Sequence, residues 1–227
     1  MTKTVRFYFD YISSNAYLAW IRLPEIAARY GYTVEPVPVL FAGLLEAHGQ
    51  LGPAEVVAKA LWMGKNNLRK AALLGIPLHR PAFHPFNPLL ALRVSSLPLS
   101  AKDRSAVITA LFEAVWVKGL HVSEPDVVET IGDELGLEGK ILVAQARTPE
   151  IKGQLRRQTE DAIARGVFGV PSMEVHGEIF WGYDDFPYLE LHLAGKDPLD
   201  QEEWKRWISA PKSSAMRRRF RSESEGV

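Results

Sequence analysis

The hydrophobic and polar positions of this chain predict a strand, a helix and a second strand at its start. Residues 5–9 are aromatic or β-branched, which is typical of a strand, and the apolar residues of 16–30 recur at helical spacing. Residues 32–39 predict a second strand, and Pro36 and Pro38 place it at the edge of a sheet or at its end. The three elements form a βαβ unit, whose two strands are expected to run parallel.

The pattern is helical from residue 41 to residue 165, with helices predicted over 54–74, 87–97, 101–118, 123–135 and 148–165. Strands return at 172–176 and 179–181, on either side of a short hairpin turn, and helices are predicted at 184–194 and 201–208. The order βαβ, helical block, ββα predicts an α/β fold. Residues 1–40 and 166–210 would form one discontinuous domain, residues 41–165 a helical insertion subdomain, and residues 211–227 a disordered polar tail.

Composition excludes several classes of protein. The chain has 227 residues with 27 basic and 27 acidic side chains, so its net charge of +0 indicates neither a nucleic-acid partner nor a membrane partner. It contains no cysteine, which removes disulfides and thiol chemistry carried by the protein. No metal site is predicted, because the 6 histidines lack the spacing of metal ligands. Without a visible signal peptide or membrane span, a cytoplasmic enzyme is expected.

The turn between the first strand and the first helix carries Ser13 and Ser14. A hydroxyl therefore lies where a helix begins, and two interpretations are open. Ser13 can be an N-cap, since serine is among the preferred N-cap residues. It can also hold an anion such as a thiolate, carboxylate or phosphate, because the first amides of a helix are unpaired and its N-terminal dipole is positive.

A second informative stretch is Gly166-Val167-Phe168-Gly169-Val170-Pro171-Ser172-Met173. A proline directly before a buried strand cannot donate a hydrogen bond to the sheet. A cis Val170–Pro171 peptide bond, which would present the Val170 backbone to a ligand, is one hypothesis, and a rigid turn at a strand edge is the other.

The chain resembles the thioredoxin-fold disulfide oxidoreductases, with residues 13–16 at the position of their Cys-x-x-Cys motif. More closely, Phe-Tyr-Phe-Asp-Tyr-Ile-Ser-Ser-Asn-Ala-Tyr-Leu-Ala over residues 7–19 resembles Asp-x-x-Ser-Pro-x-Ser/Ala-Tyr-x-Ala of the 2-hydroxychromene-2-carboxylate isomerases and the related kappa-class glutathione transferases. Further matching segments are Leu68-Arg69 with Gly75-Ile76-Pro77-Leu78, Pro85-x-Asn87 with Ala91-Leu92-Arg93, Val167-Phe168-Gly169-Val170-Pro171, and Trp181-Gly182-x-Asp184. The resemblance implies a thioredoxin-like fold with a large all-helical insertion.

The resemblance also implies a glutathione-dependent cis–trans isomerase of aromatic compound catabolism. Ser13 would hold the glutathione sulfur as a thiolate, which would add reversibly to the unsaturated pyruvate chain of a small aromatic carboxylate substrate. The backbone at Val170 and Pro171 would bind the peptide part, and Asp184 the γ-glutamyl amine. Lys59 and Asn87 would lie around glutathione or the substrate, a solvated helix face being the other interpretation. A homodimer is expected.

Two other functions stay open from the sequence, namely a kappa-type glutathione transferase or peroxidase and a non-catalytic thioredoxin-like binding protein. The chain departs from the family pattern at Ser14, where proline is usual, at Tyr183, where serine or asparagine is usual, and at Asp185, where arginine is usual. Asp184 and Asp185 would place two carboxylates near the γ-glutamyl carboxylate. Four aromatic residues are predicted to lie in the core or to line an aromatic substrate: Trp62, Phe83, Phe86 and Trp116.

Overall fold

Strand β1 (Thr4–Phe9) is an inner strand of a four-stranded mixed sheet in a computed structural model that describes residues 3–209. The strand order is β2 (Thr33–Pro38), β1, β3 (Ser172–Val175) and β4 (Glu178–Trp181). β1 pairs parallel with β2 and antiparallel with β3, and β3 pairs antiparallel with β4. The parallel βαβ unit, the hairpin and the edge position of the proline-containing strand are therefore confirmed.

The described residues contain ten α-helices and two short 3-10 turns, Pro53–Glu55 and Tyr183–Asp185. The helices are α1 (Ser14–Arg29), α2 (Phe41–His48), α3 (Val57–Leu74), α4 (Leu89–Ser95), α5 (Ala101–Trp116), α6 (Pro125–Glu134), α7 (Gly139–Ala146), α8 (Pro149–Ala164), α9 (Phe186–Leu193) and α10 (Gln201–Ser209). Helices α2 to α8 all lie between β2 and β3 in the chain, so the predicted helical insertion is confirmed. The exact domain boundaries stay a prediction, and residues 211–227 of the predicted tail lie outside the described residues.

Three helix predictions need correction. The helix predicted from residue 54 begins at Val57, because Pro53–Glu55 forms a separate 3-10 turn. The helix predicted from residue 87 begins at Leu89. Helices α2 and α7 were not predicted as separate elements, and each has only eight residues. Helix α7 begins at Gly139, where a Cβ atom would lie 2.0 Å from the carbonyl oxygen of Glu129. This glycine allows α7 to pack directly against α6, a tertiary contact that local spacing does not show.

The alternation of side chains along β1 gives the sheet two buried faces. Phe7 and Phe9 contribute to the main core, where Phe9 lies 5.6 Å, between ring centres, from Phe112 of α5. Tyr8 points to the opposite face, in a smaller cluster with Leu44 of α2 and Ala162 of α8. Helices therefore cover both faces of the sheet and hold the end of β1 between them.

Helix α3 is partly uncovered. Val57, Leu61 and Leu68 lie on one face of it and are 74%, 64% and 55% exposed. We call these three residues the α3 stripe. The prediction of a buried position was wrong for Trp62, which is 60% exposed, whereas Trp116 is buried as predicted. No helix within residues 3–209 is long and apolar enough to cross a membrane.

Candidate active site

Ser13 ends the turn after β1 and caps helix α1. Its backbone is extended, and its Oγ accepts a hydrogen bond from the Ala16 amide at 3.1 Å. The Ser13 amide donates to the Asp10 carbonyl at 3.1 Å, which closes the turn. The N-cap interpretation is confirmed. Since the hydroxyl accepts from Ala16, its proton stays available for an acceptor on the other side.

That acceptor is the backbone next to Pro171. The Val170–Pro171 peptide bond is cis, which was one of the two hypotheses for this segment, and the Val170 carbonyl oxygen lies 3.4 Å from Ser13 Oγ. The Gly182 amide donates to the Pro171 carbonyl at 2.9 Å, so this segment is joined to the end of β4 as well. The structure thus brings together Ser13, Val170 and Pro171, from opposite ends of the sequence.

Asp10 holds the Ser13 turn in place through its buried carboxyl group. It is fully buried, and its two carboxylate oxygens accept hydrogen bonds from the Ile12 amide at 3.1 Å and the Phe41 amide at 2.9 Å. Burial raises the pKa of Asp10 to about 7, against the opposing effect of these backbone donors. This carboxyl group therefore connects the Ser13 turn to the first turn of α2, and its charge changes close to neutral pH.

The insertion fixes the same turn through two ring nitrogens. His84 Nε2–H donates to the Ile12 carbonyl at 2.9 Å, and Trp116 Nε1–H donates to the Tyr11 carbonyl at 2.9 Å. Burial lowers the pKa of His84, so its imidazole is neutral at neutral pH and serves as a hydrogen-bond donor without adding charge. These bonds position the Ser13 turn relative to the insertion helices.

A second group of polar side chains lies where α3 crosses the start of α1. Asn67 of α3 is buried and its Nδ2 donates to Ser14 Oγ at 2.8 Å. Lys70, three residues further along α3, donates from Nζ to Asp184 Oδ2 at 2.8 Å. Asn15 Oδ1 is a buried oxygen without a hydrogen-bond partner among residues 3–209. We call these five residues, Ser14, Asn15, Asn67, Lys70 and Asp184, the Lys70 corner.

The two neighbouring carboxylates near this corner have different partners. Asp184 pairs with Lys70, whereas Asp185 Oδ2 accepts a hydrogen bond from the Trp181 amide at 2.8 Å. The Tyr183 ring packs on Phe186, with 4.7 Å between ring centres. Asp185 is therefore bonded to the backbone of the last residue of β4, and Asp184 alone of the two carboxylates pairs with Lys70.

Lys59 and Asn87 belong neither to the Ser13 turn nor to the Lys70 corner. Lys59 is exposed near the start of α3. Asn87 Oδ1 accepts a hydrogen bond from the Leu89 amide at 3.0 Å, in the turn that leads into α4. Within the described residues neither side chain is hydrogen-bonded to Ser13 or to the Lys70 corner, so their roles stay predictions.

No role was predicted from the sequence for Asp10, Asn67, Lys70 or His84. Asp10 lies within the quoted pattern before Ser13, which could have drawn attention to it. Asn67 and Lys70 are three residues apart and therefore share one face of α3, a spacing that is visible in the sequence. Their partners are not visible in this way, since Lys70 and Asp184 are 114 residues apart.

Comparison with known proteins finds relatives that match over most of the chain. Residues 4–194 match the family model of the DSBA-like thioredoxin domain. A 2-hydroxychromene-2-carboxylate isomerase of Sphingobium xenophagum is 34% identical over 196 residues, which are 85% of this chain and 99% of that protein. Human glutathione S-transferase kappa 1 is 24% identical over 219 residues, covering 86% of this chain and 92% of that protein.

Among solved structures, a 2-hydroxychromene-2-carboxylate isomerase matches with a TM-score of 0.79 and 27% identity, over 91% of this chain and 100% of that one. The similarity therefore extends over the sheet, the insertion and the Ser13 turn together.

Proposed function

The chain belongs to the DsbA-like thioredoxin family and, within it, to the 2-hydroxychromene-2-carboxylate isomerases, and from this membership we propose that it is a glutathione-dependent cis–trans isomerase. That it is an isomerase follows from its family. The dependence on glutathione is supported by one observation above the others: a capping hydroxyl, Ser13, faces the cis Val170–Pro171 backbone in a chain with no cysteine. The thiol must then come from a ligand.

The residues present fit such a ligand. Ser13 lies at the N-terminus of a 16-residue helix, whose dipole favours a negative charge at this end. The Ser13 hydroxyl donates to Val170 over 3.4 Å, a long hydrogen bond that a thiolate could replace. Both effects lower the pKa of a thiol held there. Bound glutathione would supply a nucleophile that adds to the substrate's unsaturated chain and leaves after rotation about the bond.

The proposed substrate is an aromatic carboxylate of the 2-hydroxychromene-2-carboxylate type, on the basis of the named isomerase relatives. This would place the reaction in the degradation of aromatic compounds. A cytoplasmic location stays a prediction. Membership in a family of isomerases argues against the non-catalytic alternative.

A kappa-type transferase or peroxidase is the second candidate, because human glutathione S-transferase kappa 1 matches over 86% of this chain. Conjugation of glutathione to simple electrophiles without isomerisation of 2-hydroxychromene-2-carboxylate would favour it.

Ser13→Ala tests the proposed role of the hydroxyl. Ser100→Ala is a matched control, because Ser100 caps α5 in the same way and accepts from the Asp103 amide at 3.1 Å. Both variants should lose about 1 kcal/mol of stability with the cap. Only Ser13→Ala should lose turnover, by about 100-fold, the usual effect of removing a donor to a developing or bound anion. Equal turnover in the two variants would remove Ser13 from the mechanism.

We also propose that the protein is a homodimer with the α3 stripe in its interface. Val57, Leu61 and Leu68 are large, apolar and more than half exposed in one protomer. A surface of this kind on a helix face indicates a protein partner, and two-fold pairing of like surfaces is the commonest assembly of enzymes.

A further inference from the structure

We infer that Lys70 binds the α-carboxylate of the γ-glutamyl group, so that Lys70 and Asp184 together recognise the amino-acid head of glutathione. This inference rests on the proposed glutathione dependence. It assigns a binding role to a residue on the insertion helix α3, which the sequence pattern does not single out.

The two side chains differ sharply in exposure. The Lys70 side chain is 10% exposed, whereas that of Asp184 is 66% exposed, and their charged atoms lie 2.8 Å apart. An ammonium group has three N–H donors, and Asp184 takes one of them. The Lys70 Nζ atom also lies 5.6 Å from the centre of the Tyr183 ring, a cation–π contact that holds it in place. A nearly buried ammonium with free donors suits a carboxylate ligand.

The Lys70 corner is adjacent to the proposed thiol position. Asn67 holds α3 against Ser14, the residue after Ser13, through a 2.8 Å hydrogen bond. The Gly182 backbone has a φ of +80°, and a Cβ atom there would lie 3.8 Å from Asn15 Nδ2 and 3.9 Å from the Asp184 amide. Gly182 therefore lies next to both Asn15 and Asp184, at the edge of the corner. The buried Asn15 Oδ1, which lacks a partner among the described residues, offers an acceptor to a ligand ammonium.

The charges of the corner suit a zwitterion. Asp184 supplies the negative charge, and its neighbour Asp185 bonds to the Trp181 amide instead of to Lys70. Lys70 supplies the positive charge from a different element. A ligand carboxylate can take the place of Asp184 on Lys70, while the ligand ammonium takes the place of Lys70 on Asp184. The single Lys70–Asp184 ion pair is then replaced by two ion pairs with the ligand, and the nearly buried charge of Lys70 keeps a partner.

The test is calorimetric titration with two ligands. One is reduced glutathione, and the other is its analogue with a 4-aminobutyryl group in place of γ-glutamyl, which lacks only the α-carboxylate. The proteins are the wild type, Lys70→Met, Lys70→Arg and the control Lys152→Met, an exposed lysine on α8. Methionine keeps the apolar stem of Lys70, and circular dichroism checks that each variant is folded.

The wild type and Lys152→Met should bind glutathione about 10- to 100-fold more tightly than the analogue, the usual range for a hydrogen bond to a charged group. Lys70→Met should bind both ligands equally weakly, and Lys70→Arg should recover part of the preference. If Lys70→Met keeps the wild-type preference, the role of Lys70 is wrong, although glutathione dependence stands. If the wild type does not bind glutathione at all, the proposed function fails, and this inference fails with it.

Discussion

The stability of the protein should depend on pH through Asp10. This carboxyl group is fully buried, and its pKa rises from 3.8 to about 7 because burial disfavours the charged form. A shift of this size corresponds to about 4 kcal/mol, at about 1.4 kcal/mol per pH unit. Asp10 also accepts hydrogen bonds from the Ile12 and Phe41 amides, so the effect concerns the turn that carries Ser13.

The direction of this pH dependence follows from whether Asp10 carries a proton in the folded and in the unfolded state. In the unfolded chain Asp10 loses its proton near pH 3.8, whereas in the folded protein it keeps the proton until the pH approaches 7. The contribution to stability is therefore complete in acid and is lost as the pH rises through the folded pKa. Between about pH 5 and pH 8 the loss should be about 3 kcal/mol.

Urea unfolding of the wild type and Asp10→Asn at several pH values, at one protein concentration, measures this contribution. Asparagine can accept from only one of the two amides, so the variant should be less stable than the wild type at about pH 5, by about 1–3 kcal/mol. It has no titrating proton, and its stability should fall less steeply with pH than that of the wild type. If the free energy of unfolding falls equally with pH in the two proteins between pH 5 and pH 8, the assignment of this titration to Asp10 is refuted.

Three further predictions concern the fold and the assembly. Tyr8→Phe removes the hydroxyl that donates a buried 2.5 Å hydrogen bond to the Glu174 carboxylate on β3. The free energy of unfolding, measured in urea, should fall by about 1–3 kcal/mol, and no change would mean that this bond is not stabilising. Gly139→Ala should lower the melting temperature strongly because its Cβ meets the backbone of α6, whereas Gly153→Ala meets only the tip of an arginine and should be near neutral; similar values for the two would contradict the close packing of α7. Leu61→Glu should shift a dimer to monomer in light scattering, and Leu199→Glu, an exposed leucine outside α3, should not; a Leu61→Glu dimer would remove the α3 stripe from the interface.

The local features of the site were predictable from the sequence. The N-cap role of Ser13 was one of two interpretations of a serine between a strand and a helix, and the cis Val170–Pro171 bond was one of two hypotheses for a proline before a buried strand. Each depends on a few neighbouring residues. The edge position of β2 followed in the same way from Pro36 and Pro38, since a proline cannot donate within a sheet.

Features that depend on how the insertion packs were not predictable. Trp62 was expected in the core, but α3 has apolar residues on more than one face, and helical spacing does not indicate which face is covered. The ion pair of Lys70 with Asp184 joins α3 to the 3-10 turn after β4, and the two residues are 114 positions apart. The short helix α7 depends on the contact of Gly139 with α6. In each case the deciding contact is between elements far apart in the chain.

The most direct test of the account is the isomerisation of 2-hydroxychromene-2-carboxylate by the purified wild type, freed of small molecules, with and without reduced glutathione. S-methylglutathione is the control, because it keeps the peptide and blocks the thiol. If Ser13 holds a ligand thiol in a chain without cysteine, turnover should require reduced glutathione, and S-methylglutathione should not replace it. Equal turnover without any glutathione would contradict the proposed dependence of the reaction on glutathione.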